Sequence, residues 1–327
     1  MKLLKTIIIT SLFLLSWFPS FSCDVCNIFE YSTIKNKSYF GIFYRHRVFN
    51  GYEHLGNNHD FLPQRKSTLH EPENSGFYVN KSDKDYETYT TLELRGNYTF
   101  KEKFNFLFIL PYERNVIYYD QVIDAPNPMK DSTINLSGWG DLIIAMDYII
   151  QKETDKGRHT FRPGIAFRLP TGQYKKQDDY GNVHDPIIQP GTSALSVIFR
   201  MNYQYFLNKQ GLNASINYKI SELGKNQYQF ANSFNVTGNY FRQIPIGKNY
   251  IIPKIGGYLE TAGHDYYYES KQKLTGGTTF FGNFGLDFNR NNVTLQVLYQ
   301  APISDNLNGN QLGNAGRINT GIVINVI

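Results

Sequence analysis

The sequence predicts an all-β protein, a membrane-spanning antiparallel β-barrel of about 12 strands with periplasmic termini and long extracellular loops. Three observations predict it. Apolar and polar residues alternate with period two along most of the chain. The connections between these segments run long, short, long, short, with few exceptions. After the N-terminal segment, no apolar run approaches the roughly 18 residues that a membrane helix requires.

Residues 1–22 read as a secretory signal peptide. Lys2 and Lys5 precede an apolar run from Ile7 to Leu15, and Ser20-Phe21-Ser22 gives a small-x-small end. Residues 23–37 form an N-terminal periplasmic segment, and 38–327 the barrel. Cys23 and Cys26, in Cys-Asp-Val-Cys, are the two cysteines of the chain. Outside the cytoplasm such a close pair is expected as a small disulfide. Because Cys23 directly follows the signal peptide, its lipidation is the alternative, and Ser20 to Ser22 speak against it by lacking the usual preceding pattern. No His follows Cys26 and no second Cys pair exists, so neither haem nor zinc is implied.

Composition agrees with the fold class. Hydrophobic residues make up 41% and aromatics 16%, with 25 Tyr and 24 Phe, and mean hydropathy is −0.41. Helix-forming blocks of Ala, Leu, Glu and Lys are lacking. The net charge of +5 falls to +3 once Lys2 and Lys5 are removed, which is too weak to imply nucleic acid.

The strands follow from the alternation. Around 194–207, Val197, Phe199, Met201, Tyr203 and Tyr205 alternate with Ile198, Arg200, Asn202 and Gln204. The pattern recurs near 38–49, 87–99, 104–118, 139–150, 159–169, 211–221, 229–242, 249–261, 277–288, 292–301 and 316–327. Long connections are expected at 50–86, 119–138, 170–193, 262–276 and 302–315, and tight turns at 101–103, 208–210 and 289–291. With periplasmic termini every long loop falls outside, as in bacterial outer-membrane barrels. A soluble sandwich shares the alternation but would not sort loop length by parity.

Three motifs add a resemblance. Gly138-Trp139-Gly140-Asp141 opens a strand, Leu169-Pro170-Thr171-Gly172 closes one, and Ile188-Gln189-Pro190-Gly191-Thr192-Ser193-Ala194-Leu195-Ser196-Val197 leads into another. In these the chain resembles a family of outer-membrane transporters associated with meta-cleavage phenol degradation, itself similar in outline to fatty-acid and toluene channels. The chain departs from that family at Gly191-Thr192-Ser193, where Gly-Thr-Gly is frequent, and in ending on Val326-Ile327 rather than an aromatic residue. The resemblance implies import of small, often hydrophobic compounds. The same glycines and Pro170 also suit strand ends and tight bends.

The polar rows define a candidate lumen. They gather Arg45, Arg47, Arg95, Arg162, Arg168, Arg200, Lys219, Lys254 and Arg317 against Glu93, Asp141, Asp147, Glu260 and Asp287. Such an interior selects permeants by charge, or pairs its charges and fills itself. Permeation candidates are therefore Arg45, Arg95, Arg162, Arg168, Arg200, Lys219, Lys254 and Asp147. Three His-Asp pairs fall in expected extracellular loops: His59-Asp60, His184-Asp185 and His264-Asp265. Imidazole and carboxylate groups of separate loops are candidate metal ligands at the barrel mouth, beside the reading that they are solvated loop residues.

The function expected is an outer-membrane channel for passive uptake of small solutes, hydrophobic, aromatic or anionic. The alternatives are a metal-binding outer-membrane protein or a non-transporting adhesion or structural barrel. An enzyme is not expected. None of the seven His residues has Ser two positions on, the placement an outer-membrane lipase requires, and no cofactor motif is present. The expected partners are outer-membrane lipid, the barrel-assembly machinery and the solute.

Overall fold

The computed structural model describes residues 38–52, 62–63, 77–79, 82–124, 130–309 and 311–326, with backbone alone at 62–63, 77–79, 121–124 and 130–131. The expected signal peptide and the Cys23–Cys26 segment lie outside these residues.

Twelve antiparallel strands form one closed barrel. They begin with β1 (Tyr39–Tyr52), β2 (Tyr86–Phe100) and β3 (Phe104–Asp124). β4 comes in three pieces, Lys130–Trp139, Ile143–Tyr148 and Ile150–Thr154, and is followed by β5 (Gly157–Arg168). β6 (Ser196–Leu207) and β7 (Gln210–Ser221) precede β8, which is Ser233–Arg242 continued as Ile244–Ile246. The circuit ends with β9 (Asn249–Ala262), β10 (Gly277–Arg290), β11 (Val293–Leu307) and β12 (Leu312–Asn325). Each strand pairs with the next, and β12 returns to β1 from Tyr39↔Asn325 to Tyr52↔Leu312. Closure leaves no free strand edge, the condition for a sheet to stand in lipid, where no water can take up an unpaired N–H or C=O.

The period-two code sorts the side chains onto two surfaces. Phe199, Met201 and Tyr203 of β6 face outward and are exposed, while Ile198, Arg200 and Asn202 face inward and are buried. The same holds for Phe106 and Phe108 against Leu107 and Ile109 on β3, and for Ile318, Ile322 and Ile324 against Arg317 and Val323 on β12. An outer wall of exposed Phe, Ile, Leu, Met and Val around the whole circumference is unfavourable in water and matches hydrocarbon. Aromatic pairs lie on it, Tyr112 against Trp139 at 5.3 Å and Tyr86 stacked on Tyr118 at 5.2 Å. No helix among the described residues is long and apolar enough to cross a membrane.

Both chain ends of the barrel lie at one rim with the tight turns. Lys101, Glu102, Asn208 and Lys209 take left-handed φ values of 48°, 57°, 47° and 68°, as close hairpin turns demand. At the other rim the strands overrun the expected bounds. β3 continues to Asp124 and β4 begins at Lys130, so most of the expected loop 119–138 is a hairpin. β11 continues to Leu307 and β12 begins at Leu312, so the expected loop 302–315 shrinks to a short turn. The reason is visible in Ser304-Asp305-Asn306. Beyond the apolar belt both faces of a strand meet water, and the alternation that reveals it disappears. The expected strand 229–242 begins at Ser233 instead, and Gln229 belongs with Tyr228 to a separate small sheet with Tyr266–Tyr267 and Ser270–Lys271.

The two surfaces give a direct test. Met201→Arg should lower stability in lipid vesicles by about 2–4 kcal/mol, the cost of a charge at the bilayer midplane, whereas Ser215→Ala on the inner wall should cost under about 1 kcal/mol. Urea midpoints in vesicles measure both, and equal losses would contradict the inside-out assignment.

Candidate functional site: the barrel lumen

The lumen wall divides into three arcs. The first is charged and runs over β12, β1, β2 and β3. Arg45 Nη2 lies 3.3 Å from Glu93 Oε1, and Arg95 Nε donates to Glu93 Oε2 at 2.8 Å. Glu93 thus sits between two guanidinium groups with no exposure. Arg317 Nη1 donates to Glu260 Oε2 at 2.7 Å, from β12 to β9. Arg95 stacks over Phe43 at 3.9 Å, Arg317 over Phe281 at 4.2 Å, and Arg47 over Tyr89 at 5.0 Å. Flat guanidinium groups pack on rings in this way while keeping their in-plane donors for carboxylates.

The second arc is apolar. Leu107, Ile109, Ile143, Ala145, Ala166 and Ile198 form one inward-facing cluster on β3 to β6. Ion pairs flank it. Arg200 Nε lies 3.2 Å from Asp147 Oδ1, and Arg168 Nε 3.0 Å from Asp141 Oδ2. The third arc, over β6 to β11, is mostly uncharged amide and hydroxyl. Gln300 Nε2 donates to Asn283 Oδ1 and Asn283 Nδ2 to Asn239 Oδ1, each at 2.9 Å. The second bond passes over Gly256, where a Cβ would come within 2.3 Å of Asn239 Oδ1. Lys254 and Asp287 pair at 2.9 Å toward the turn rim of this arc.

All eight permeation candidates, Arg45, Arg95, Arg162, Arg168, Arg200, Lys219, Lys254 and Asp147, line this wall. Seven of them are buried and Arg168 is half-buried. Six basic residues of the polar rows (Arg45, Arg95, Arg168, Arg200, Lys254 and Arg317) sit in ion pairs. A further carboxylate, Glu113 on β3, lies in the field of Arg168, Arg47 and Arg45. Its odd-numbered place in the row of Asn105, Leu107 and Ile109 marks it as inward, so the alternation carries that signal.

The three sequence motifs converge at one point on the loop rim. β4 is interrupted at residues 140–142, and its inward row slips by one, from Leu136 and Gly138 to Asp141 and Ile143. Asp141, fully buried, accepts from Arg168 Nε at 3.0 Å, from the Gly172 and Thr192 amides at 2.9 Å each, and from the Thr192 hydroxyl. A Cβ on Gly172 would lie 2.7 Å from both Gly140 C and Gly191 Cα, so the three backbones approach as closely as glycine alone permits. This clasp turns the β5–β6 connection back into the barrel mouth. There Ile188 packs on Ile117 and Leu136, and its carbonyl accepts from Asn115 Nδ2 at 2.9 Å. Thr192 was not among the candidates, because nothing in the chain order links it to a carboxylate 51 residues earlier.

Of the candidate metal ligands, His59 and Asp60 lie outside the described residues. Asp265 accepts from the Tyr228 hydroxyl and from the Ala231 amide at 2.8 Å, and His264 Nδ1 bonds the Gln272 carbonyl at 3.1 Å. Burial lowers the His184 pKa below the usual range, opposed by Asp178. Among the described residues, no three His, Cys, Asp or Glu side chains come together to hold a metal.

No family model matches the chain, and no curated protein matches it. Among solved structures it is similar to the COG4313 outer membrane channel from Pseudomonas putida F1, at 14% identity and a TM-score of 0.57, over 90% of this chain and 98% of that one. What is shared is the fold. The β domain of the Bordetella autotransporter BrkA (10% identity, 89% and 100% covered, TM-score 0.44) also aligns. So does a Pseudomonas aeruginosa FadL homologue (10% identity, 89% and 90% covered, TM-score 0.37). Both superpositions are too loose to carry an argument.

The clasp has a measurable role. Asp141→Ala strips four donors of their acceptor and leaves Arg168 without its carboxylate. It should destabilise the barrel by about 3–5 kcal/mol, as breaking a buried pair does. It should also expose Lys175 and Lys176 to trypsin, with Asp141→Asn intermediate. Unchanged digestion kinetics would mean the connection is held elsewhere.

Proposed function

We propose that this protein is an outer-membrane channel for passive passage of small solutes. The observation that carries the reading is the closed barrel with an apolar outer belt and an inner wall of charged, amide and apolar arcs. Paired charges alone also fill a closed barrel; the amide and apolar arcs beside them add surfaces that a passing solute would meet. The likeness in fold to an outer membrane channel supports the same reading. The loop rim is extracellular and the turn rim periplasmic. On the inner wall Asn283, Gln300, Tyr258 and Phe281 are shielded from solvent. Passage therefore requires side chains to part, and conductance is small.

The lumen favours anions among ions. The nine basic residues of its polar rows outnumber their carboxylates even when Glu113 joins Glu93, Asp141, Asp147, Glu260 and Asp287. The apolar arc on β3 to β6 supports entry of hydrophobic or aromatic solutes, the class that the family resemblance implies.

Planar-bilayer recordings should show low-conductance steps with anion preference under a salt gradient, weakening as ionic strength rises. Joint replacement of Arg162, Arg168 and Arg200 by Gln should move the preference toward neutral, since six basic residues then face six carboxylates. Silence in the bilayer, or indifference to the triple replacement, would count against a charged conduit.

Orientation is checked separately. A protease tag within 176–182 should be cut on intact cells and one at 208–210 protected, and the reverse would invert the topology.

A further inference from the structure

We infer that the amide arc of the lumen is a binding site for a neutral, hydroxyl-rich solute of the sugar or polyol class. This deepens the reading of the barrel as a conduit and rests on it. Three amide side chains on neighbouring strands carry it: Asn202 on β6, Asn213 on β7 and Asn235 on β8. The Nδ2 groups of all three are buried on inward-facing positions, and none has an acceptor among the described residues. Asn202 is 5% exposed and Asn235 not at all. Asn235 uses its oxygen to accept from Asn217 Nδ2 at 2.9 Å and keeps its NH2 unmatched. A buried donor without an acceptor is unfavourable and is expected to meet one from outside the chain.

Register places these groups together. Asn202 stands opposite Ser215, one rung from the Asn217–Asn235 pair on one side and one rung from Gln204–Asn213 on the other. Three successive inward rungs span about 13 Å, at ~3.3 Å per residue. The middle rung continues from Ser215 through Thr237 to Tyr258 and Phe281, two rings tilted at 5.9 Å. The arc thus offers amide and hydroxyl groups along one stretch and aromatic surface at its end.

Hydrogen-bonding capacity decides which solute fits. Of the ionic groups beside the arc, Arg200 is compensated by Asp147 and Glu260 by Arg317, and Arg162 stands opposite Asn202 on β5. A small anion would meet the donors alone and leave the hydroxyl oxygens of the arc without a donor, and a hydrocarbon would leave the amides unmatched. A hydroxyl donates and accepts at once, as Asn, Ser and Thr do, so a polyhydroxylated molecule satisfies both faces of the arc. Its C–H face suits the Tyr258 and Phe281 rings.

The test uses the full chain in planar bilayers and in liposomes. Potassium chloride current is recorded first; its absence counts against the conduit and takes this inference with it. With current present, maltose at millimolar concentration should interrupt it reversibly and saturably, and benzoate should not. Asn213→Leu and Asn235→Leu, near-isosteric changes, should each weaken the maltose effect about tenfold while potassium chloride conductance stays within twofold. Heat-modifiable migration in gels verifies that both variants fold. Where a variant does not fold, swelling of wild-type liposomes in iso-osmotic glucose stands in for it, and glucose should enter. Current that ignores maltose, or a maltose effect equal in wild type and both folded variants, would overturn the inference with the conduit intact, the amides then being matched by water alone. Exclusion of glucose from wild-type liposomes would overturn it equally.

Discussion

Closure of the hydrogen-bond ladder is the constraint on which the rest of the structure depends. A chain whose outer surface is Phe, Ile, Leu and Met along twelve strands cannot leave a sheet edge open in the medium that surface requires. The pairing of β1 with β12 removes the last edge, and it also fixes the interior. Once the sheet is closed, every second residue of every strand is committed to a common lumen, whatever its chemistry. Arginines and carboxylates distributed over the sequence are thereby brought face to face, and their pairing is a consequence of closure rather than of local sequence.

That enclosed space explains the three arcs. Where guanidinium groups lose water, they gain carboxylates and aromatic faces, as Arg45, Arg95 and Arg317 do with Glu93, Phe43, Glu260 and Phe281. Where no charge stands, amides bond one another in a chain such as Gln300, Asn283 and Asn239, and glycine leaves the gap their side chains cross. The loop-rim clasp follows the same logic. Asp141, buried at a break in β4, draws its donors from Arg168 and from two backbones of the connection it holds. One carboxylate thus joins the wall to the segment that narrows the mouth.

Much of this was legible in the chain. The faces of Phe199 and Arg200, or of Ile318 and Arg317, are opposite because a strand has period two, and twelve such segments whose loop lengths sort by parity suit a closed meander with both ends at one rim. The inward places of Arg162, Lys219 and Lys254 follow from the same parity, which also marks Glu113. The strand ends near Asp124, Leu307 and Leu312 were not legible, since polar residues on both faces carry no alternation.

The sequence by itself determined the fold class, the sidedness of each strand and the roster of charges facing inward, because these depend on local periodicity alone. Only the tertiary structure decided which charges meet. Arg317 and Glu260 lie on strands three apart in the barrel, and Asp141 and Thr192 are separated by a whole hairpin connection. Their contacts depend on how far each strand is staggered as the sheet closes, and stagger is a property of the whole circuit that no single segment encodes.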